Sequence, residues 1–584
     1  MHEEWISTAG TEGSPVGLPG VRVGTGCPVQ TIANRQVRIL LAGDFPLPGP
    51  QARRRLLDAA TAGRWEELTQ LPGSYWVAAH DSAERQFVSG DLSGFRSIFY
   101  TSTGRGTAWS TSARHLAEAR GAAPDLPLLA ARIAAGPQHW PDRTAWEGVR
   151  AVPGGCGLLL QPSAEPRLVD VTARRQGVPL DEGAPAFAGA VQSAVNWRLR
   201  AGDGTAGADV SGGLDSSSLA ILASRTGTVC AVTYADAYTS DEDLTYARRT
   251  AEHIGARLHV GTGGREELPF GWTLQQPLTD QPVAAALTNR QHQLYLRPAA
   301  GLPFHLTGNG GDVVLDSCSA AWVGMVQSGR RREARRQVTG WARARNRAPR
   351  DLWQAVTRAA GSSRAEALNE AAWRLRRGVV ESKRPGVWAW CHLGQFGTWL
   401  TAEGRETVAA LLEEAARSRL PGQSDRADIE EQTASLRLNG GEMRDTSPLA
   451  AEWGVRQVHP FLDNQVVRAA FAMPPAERHG ITTFKPLLGR ALPELPAWLT
   501  SRHSKGSFGR QALAGMRAHR TPLADLIRSS ALTTSGLMDP DRAVNALARV
   551  GDVQADALYD LQRLAMTCQW LAHHAAGTPL AKGA

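Results

Sequence analysis

The sequence predicts an α/β protein of two parts: an antiparallel-sheet domain, followed by a parallel-sheet domain with a large helical part. Between about residues 71 and 112, short segments rich in aromatic and β-branched residues alternate with turn residues, which is typical of antiparallel strands. From residue 181 onward, strands and helices alternate instead, which predicts a parallel sheet with ligands at the carboxyl ends of its strands. We place the domains at residues 1–180 and 181–584.

Length and composition limit the possible domain number, location and cysteine chemistry of the protein. A chain of 584 residues with 42% hydrophobic residues is long enough for at least two domains with cores of their own. It has no run of 18 uncharged apolar residues and no recognisable secretion signal, so we expect a cytoplasmic protein without a membrane partner. Its six scattered cysteines, with no CxxC pair, predict reduced and mostly buried thiols.

The net charge of +8 comes almost wholly from arginine, because only Lys383, Lys485, Lys505 and Lys582 are lysines. Such a charge fits an anionic partner such as ATP or an acidic peptide and does not exclude a nucleic acid, which we consider the weaker choice. The arginine-rich stretch 328–350 is interpreted as a solvated helix face with Trp341 turned inward. A docking surface is the alternative.

The most informative stretch is 209–225, DVSGGLDSSSLAILASR. A short apolar run turns through Ser211, Gly212 and Gly213 into a helix predicted to start near Ser216. Glycines allow backbone amides to approach a phosphate, and the helix N-terminus favours an anion there. Asp215 and the serines that follow it on the same turn are hard to explain by packing alone, so we predict a phosphate site.

This run resembles the SGGxDS pyrophosphate loop of the asparagine synthetase family and of other AMP-forming ATP enzymes. The resemblance implies that ATP contacts Ser211, Gly212, Gly213, Asp215, Ser216 and Ser217, and also Thr233 in the following strand TVCAVTYA.

A second stretch, LTGNGGDVVL at 306–315, is similar to the LTGxGxDE run of the same family. The resemblance implies that Gly308 lies at the nucleotide and that Asp312 shares Mg²⁺ with Asp215, since carboxylates are hard oxygen ligands. A helix N-cap is the plainer reading of Asp312. Asn309 and Val313 depart from the family pattern on the acceptor side, which puts asparagine formation in doubt. Asn309 is therefore counted among the candidate catalytic residues.

Two further stretches match the family. HPFLDNQVVRAAFAMP, 459–474, has the apolar spacing of a core helix, so Asp463 is assigned a structural role. In the stretch 484–509, Lys485 is predicted to open a helix and Lys505 lies in a glycine-serine loop. The resemblance implies that Lys485 holds phosphate and that Lys505 stabilises the charge that develops as an amine attacks.

Asp445, in RDTSPLAAEWG, is the last candidate catalytic residue. Its surroundings resemble the region that supplies a catalytic acid in β-lactam synthetase. A helix cap explains it equally well, and the sequence leaves both open.

The first domain resembles the glutamine amidotransferase domain of asparagine synthetases, an Ntn-hydrolase-like fold, over LPGSYWVAAHD…RQFVSGDLSGFRSIFY. That family uses a cysteine exposed at the N-terminus. Here position 2 is His2, and Cys27 cannot offer its own α-amino group as a base, so we expect no ammonia release from glutamine and a vestigial domain.

Taken together, the resemblance implies that ATP is split to AMP and pyrophosphate while a carboxylate is adenylated and joined to an amine. Without an ammonia source, we expect a lasso peptide cyclase that joins an Asp or Glu side chain of a linear core peptide to the peptide's N-terminal amine. A leader peptidase and a leader-peptide-binding protein are the implied partners. The alternatives are a β-lactam synthetase-like or asparagine synthetase-like ligase and an inactive nucleotide-binding scaffold.

Overall fold

A computed structural model describes residues 5–9, 13–24, 27–104, 106–172, 177–271, 276–380, 387–503, 506–551 and 555–577 of the protein. His2 and three of the four lysines, Lys383, Lys505 and Lys582, lie outside these residues.

The first part of the chain forms two antiparallel sheets and three helices. The strands are Ile6–Ser7 (β1), Ser14–Pro15 (β2), Arg22–Val23 (β3), Val29–Ala33 (β4), Val37–Asp44 (β5), Ser74–Asp81 (β6), Gln86–Ser89 (β7), Ile98–Thr103 (β8), Gly106–Ser110 (β9), Arg150–Val152 (β10), Cys156–Leu160 (β11) and Arg167–Asp170 (β12). One sheet has the order β10-β8-β9-β1-β3-β2 and the other β12-β11-β7-β6-β5-β4. The helices are Pro50–Thr61 (α1), Ala113–Arg120 (α2) and Leu126–Ala135 (α3).

These elements stack in four layers. Ile6 of one sheet and Trp76 of the other belong to the same buried cluster, so the two sheets pack face to face. Leu56 of α1 covers the outer face of the second sheet, and Leu116 of α2 packs with Phe99 on the outer face of the first. The predicted antiparallel region is therefore a sandwich enclosed by helices.

The second part contains a parallel sheet of the order β15-β14-β13-β16-β17. Its strands are Thr205–Asp209 (β13), Thr228–Ala235 (β14), Leu258–Thr262 (β15), His305–Leu306 (β16) and Gln457–Val458 (β17), and its first helices are Leu180–Ala201 (α4), Leu214–Ser224 (α5) and Asp241–His253 (α6). The parallel pairing confirms the α/β prediction for this part of the chain.

The rest of the described chain is mainly helical. Its helices are Asn289–Leu296 (α7), Gly311–Val314 (α8), Ala320–Gln327 (α9), Arg331–Ala344 (α10), Pro349–Ala360 (α11), Arg364–Arg376 (α12), Phe396–Trp399 (α13), Ala402–Arg417 (α14), Ala427–Glu452 (α15), Asn464–Ala472 (α16), Pro475–Arg478 (α17), Pro486–Ala491 (α18), Ala497–Thr500 (α19), Gly509–Ala518 (α20), Arg520–Ser529 (α21), Ala531–Thr534 (α22), Pro540–Ala548 (α23) and Ala555–Gly577 (α24). Short 3₁₀ helices lie at Trp65–Thr69, Pro137–His139, Ala284–Thr288, Arg297–Ala299 and Pro460–Leu462.

The two parts share a core and buried polar contacts. Helix α3 of the first part packs with α14 and α24 of the second in the largest apolar cluster. Asn464 accepts a hydrogen bond from the Leu92 amide at 2.9 Å, and Arg437 Nε donates to the Gly154 carbonyl at 2.8 Å. These contacts hold the first domain against α16 and the long helix α15.

The starts of two helices can be compared with the sequence prediction. Helix α5 begins at Leu214 rather than near Ser216, because Gly213 adopts an extended conformation and is itself the N-cap. Helix α4 begins at Leu180, at the predicted domain boundary, and contains Pro185 in its interior.

Other sequence expectations concern the surface and the thiols. In α10 the arginines are mostly exposed, and the half-buried Trp341 contacts Trp322 with ring centroids 5.6 Å apart. Cys27, Cys156 and Cys568 are buried, while the other three cysteines are only partly buried, and none of the six forms a disulfide within the described residues. In the described part of the chain we find no helix with the length and apolar character needed to cross a membrane.

Candidate functional site

The loop after β13 has the geometry of an anion cradle. Gly212 has φ +78°, a conformation that favours glycine, and a Cβ there would lie 2.2 Å from the Asp243 carbonyl oxygen. The Ser211 and Ser216 hydroxyls lie 3.0 Å apart across the turn, and α5 begins directly after Gly213. Backbone amides and two hydroxyls thus surround the positive end of a helix, which suits a phosphate group.

Asp215, Asp312 and Lys485 form a charged cluster beside this loop. Lys485 Nζ lies 2.5 Å from the Asp215 carboxylate and 2.6 Å from that of Asp312. Burial alone would lower the pKa of Lys485, but the two carboxylates raise it above its usual value. Both carboxylates therefore converge on a single cationic atom.

The positions of Asp215 and Asp312 can be compared with what a Mg²⁺ site requires. The described residues contain no cluster of three His, Cys, Asp or Glu side chains of the kind that encloses a metal ion. Mg²⁺ commonly uses only one or two carboxylates and takes its other ligands from phosphates and water. Asp215 and Asp312 fit that role, because two carboxylates that share one ammonium group are close enough to share one divalent cation.

The loop opens into a large cavity between the parallel sheet and the first domain, with a volume of about 910 Å³. Among the predicted site residues, its wall contains Ser211, Gly213, Asp215, Ser216, Thr233, Gly308, Asn309 and Asp312. Segments far apart in the sequence are thus brought together at the carboxyl ends of β13, β14 and β16.

Three predicted nucleotide contacts lie elsewhere. Ser217 is fully buried, and its hydroxyl accepts a hydrogen bond from Thr250 at 3.3 Å, because one step along a helix rotates a side chain about 100° away from its neighbour. Lys485, only 2% exposed, lies behind the two carboxylates rather than on the cavity wall. Gly212 is not on the wall either, and its carbonyl faces Arg502.

Lys485 opens a helix as predicted, since it is the N-cap of α18 with φ +52°. Its ammonium group contacts both carboxylates and balances one of their two charges. Its contact with phosphate stays a prediction.

Asp445 differs most from its prediction. It lies in the interior of the 26-residue helix α15, so the helix-cap reading is wrong; the helix continues through Pro448. Asp445 is not on the cavity wall and pairs with Arg444 at 2.6 Å. Burial raises the pKa of Asp445 to about 7, and the neighbouring guanidinium opposes that rise.

Asp463 is the centre of a buried ion pair, as its structural assignment anticipated. Two guanidinium nitrogens of Arg198 donate to its two oxygens at 2.7 Å each. Burial raises the pKa of Asp463 to about 6, against the influence of Arg198.

Arg502 is a residue that sequence reasoning missed. Its fully buried guanidinium donates to the Gly212 carbonyl and pairs with Asp243. It therefore ties the phosphate loop to α6, and Asp243 also accepts from the Gly506 amide at 3.0 Å. The available signal was its position within the stretch 484–509, next to Lys505.

Two carboxylates on the cavity wall, Glu430 and Glu442 of α15, were also missed. Burial raises the pKa of Glu442, while its hydrogen bond from the Ala284 amide at 2.8 Å acts the other way. No motif marked these residues, because their position on the cavity wall depends on how the long helix α15 packs in the folded chain.

Comparison with known proteins identifies the family. A family model described as asparagine synthase matches residues 186–572, more than half of the chain, and the chain therefore belongs to that family. A search of curated proteins finds no match.

Two solved structures also align with the chain. One, described as the allosteric regulatory enzyme of purine biosynthesis, is 11% identical with a TM-score of 0.16, over 48% of this chain and 55% of that chain. The other, a glutamine phosphoribosylpyrophosphate amidotransferase from B. subtilis complexed with ADP and GMP, is 10% identical with a TM-score of 0.16, over 48% and 63%. The chain thus spans only part of the length of each of these proteins.

Proposed function

We propose that this member of the asparagine synthase family is an AMP-forming amide ligase, and specifically a lasso peptide cyclase. In this proposal it activates an Asp or Glu side chain of a linear peptide with ATP. It then joins that side chain to the N-terminal amine of the same peptide.

The proposed reaction has two steps, adenylation and amide formation. A carboxylate oxygen attacks the α-phosphorus of ATP, and the bond to the β,γ-pyrophosphate breaks. The amine then attacks the activated carbonyl carbon, a proton is lost to base, and AMP leaves with the bonding pair. Activation is needed because a free carboxylate is a poor electrophile.

The phosphate loop supports the first step. Its amides and the α5 N-terminus would bind pyrophosphate oxygens, and Asp215 and Asp312 would hold Mg²⁺, which supplies positive charge as pyrophosphate leaves. Asn309 on the cavity wall is assigned to the acceptor side. Lys505 keeps the predicted role of stabilising the charge that develops during amine attack.

The observation that carries the choice of a peptide substrate is the rim of the cavity. Tyr238, Leu438, Phe508 and Tyr559 line the cavity and are 40%, 39%, 73% and 60% exposed. They are half of the eight large apolar side chains that are exposed in the described part of the chain. An apolar rim around a wide mouth suits a peptide with apolar side chains better than a small polar acid.

The first domain supports the same choice. Cys27 packs in the core between the two sheets, away from the role of an exposed nucleophile. We therefore interpret the helix-enclosed sandwich as an Ntn-hydrolase-like fold that no longer releases ammonia. The amine then comes from the substrate itself, and holding both reacting groups on one chain can contribute roughly 7–11 kcal/mol to lowering the barrier.

The proposal includes partners. A leader peptidase would expose the N-terminal amine, and a leader-peptide-binding protein would deliver the precursor. A β-lactam synthetase-like ligase is the main alternative, because it would also need no ammonia.

The test is to measure ATP–pyrophosphate exchange and product mass with a panel of acidic linear peptides and small amino acids. The cyclase predicts AMP, pyrophosphate and a peptide lighter by one water with a blocked N-terminus. Lys505→Ala should slow product formation about 100- to 1000-fold while ATP still binds. A β-lactam or free asparagine as the product would refute the cyclase, and ADP as the primary nucleotide product would refute the ligase class.

A further inference from the structure

Arg132, on α3 of the first domain, lies on the wall of the cavity. Its Nη2 donates to the Arg143 carbonyl at 2.6 Å and its Nη1 to Gln281 Oε1 at 3.2 Å. Its Nε is buried without a hydrogen-bond partner. The described hydrogen-bond partners of this guanidinium are thus neutral acceptors, and they use two of its five N–H groups.

The neighbouring arginines differ because they have carboxylate partners. Arg143 pairs with Asp125 at 2.9 Å and with Glu414 at 3.3 Å, and Arg444 pairs with Asp445 at 2.6 Å. Among the described residues, no carboxylate oxygen lies within 4.0 Å of an Arg132 nitrogen.

The nearby acids are already engaged elsewhere. Asp280 lies next to Gln281 and accepts hydrogen bonds from Ser112 Oγ, the Ala113 amide and the Arg114 amide, at the N-terminus of α2. Glu442 accepts from the Ala284 amide. These carboxylates thus accept hydrogen bonds from groups other than Arg132.

Burial, helped by the nearby charges of Arg444 and Arg143 and opposed by Asp125 and Asp445, lowers the pKa of Arg132 to about 10. The group is still protonated at neutral pH, so a positive charge stands on a partly desolvated wall. Such a charge is costly unless an anion completes it.

We propose that Arg132 binds a second carboxylate of the substrate, distinct from the one that is activated, so that the first domain contributes to substrate recognition. The activated carboxylate must reach the phosphate loop, whereas the described partners of Arg132 are Gln281 and Arg143. Each Nη of Arg132 keeps a second N–H group besides the one that it donates to the protein. A planar guanidinium matches a carboxylate by geometry as well as charge.

This inference rests on the proposed function and deepens it. In a linear peptide the second carboxylate is either the C-terminus or another acidic side chain. The two sources share one chemistry and are separated by the peptides used in the test.

The first arm uses a peptide that the enzyme dehydrates, in three forms: with a free C-terminus, with a C-terminal amide, and with its second acidic residue changed to Gln. KM and kcat are measured for the wild type, Arg132→Gln and Arg132→Lys. Arg150→Gln is the matched control, because Arg150 is an exposed arginine of the same domain that pairs with Asp142, and neither residue is on the cavity wall.

Arg132→Gln should raise KM about 10- to 100-fold for the peptide with both carboxylates, with a much smaller change in kcat. Neutralising the recognised carboxylate should raise the wild-type KM by a similar factor and add little to the effect of Arg132→Gln. The neutralised peptide for which Arg132→Gln causes little further rise in KM identifies the carboxylate that Arg132 binds. Arg132→Lys should give an intermediate KM, since it keeps the charge and loses the fork.

The inference is overturned if Arg132→Gln leaves KM unchanged or raises it equally for all three peptides. If no peptide is dehydrated at all, the cyclase proposal fails and a second arm decides about Arg132 alone. In that arm the melting temperature Tm is measured in sodium succinate and in sodium chloride of equal ionic strength.

A carboxylate site predicts that succinate raises the Tm of the wild type and of Arg150→Gln by about 1–2 °C relative to chloride, and that this rise is lost in Arg132→Gln. Equal behaviour of all three proteins would overturn the assignment.

Discussion

Two regions of the cavity, the phosphate loop and the wall contributed by the first domain, carry charges of opposite sign. At the phosphate loop, the Lys485 ammonium group lies within hydrogen-bond distance of the Asp215 and Asp312 carboxylates and balances only one of their two negative charges. At the wall contributed by the first domain, Arg132 has only neutral partners among the described residues. The comparison teaches that the charge left over in each region predicts its ligand: the negative cluster at the loop suits a cation, and the positive group on the opposite domain's wall suits an anion.

The largest expected effect concerns the two carboxylates at the phosphate loop. Asp215→Ala should abolish ATP–pyrophosphate exchange and also destabilise the fold by about 3–5 kcal/mol, because it leaves the buried Lys485 without its most buried partner. Asp312→Ala should lose exchange as severely but cost less than about 1 kcal/mol of stability, since Asp312 is 65% exposed. Urea unfolding separates the two variants, and equal stability loss in both would contradict this picture.

A second prediction concerns how the loop is held. Arg502→Gln removes the charged contact with Asp243 and with the Gly212 carbonyl, so unfolding free energy should fall by about 2–3 kcal/mol and KM for ATP should rise. The measurements are urea unfolding and ATP-dependent exchange. Unchanged ATP affinity in a folded variant would show that the loop does not depend on Arg502.

A third prediction uses the raised pKa of Asp445, about 7 in the folded protein. The unfolded carboxyl titrates near about 3.9, so between these values the folded state binds more protons and its stability decreases as pH rises. Asp445→Asn removes this dependence. The stability of the variant relative to the wild type should therefore improve between pH 5 and pH 8.

The check is urea unfolding of both proteins at the two pH values. A relative stability that stays constant, or that moves against Asp445→Asn as pH rises, would mean that the folded carboxyl is not held partly protonated.

The smallest effect is expected on the surface of α10. The arginine pair Arg335 and Arg336 is exposed, so replacing both with Gln should change unfolding free energy by less than about 0.5 kcal/mol and leave peptide KM unchanged. A marked rise in KM would favour the docking-surface alternative for the stretch 328–350.

The sequence by itself determined the parts whose physics is local. The order of antiparallel and parallel segments could be predicted, because strand and helix periodicities and turn residues act over a few neighbours. The loop at Ser211–Gly213 was identifiable for the same reason, since glycines, serines and a following helix occupy consecutive positions.

Only the tertiary structure decided which side chains meet. Ser217 follows Ser216 directly in the sequence, but the turn of the helix places it against Thr250 instead of the cavity. Asp445 lies in the interior of a long helix despite the nearby Pro448, and Arg132 reaches the cavity because α3 packs against helices from the far end of the chain. Such contacts join residues hundreds of positions apart, and their energies depend on burial and on charge partners that no local pattern contains.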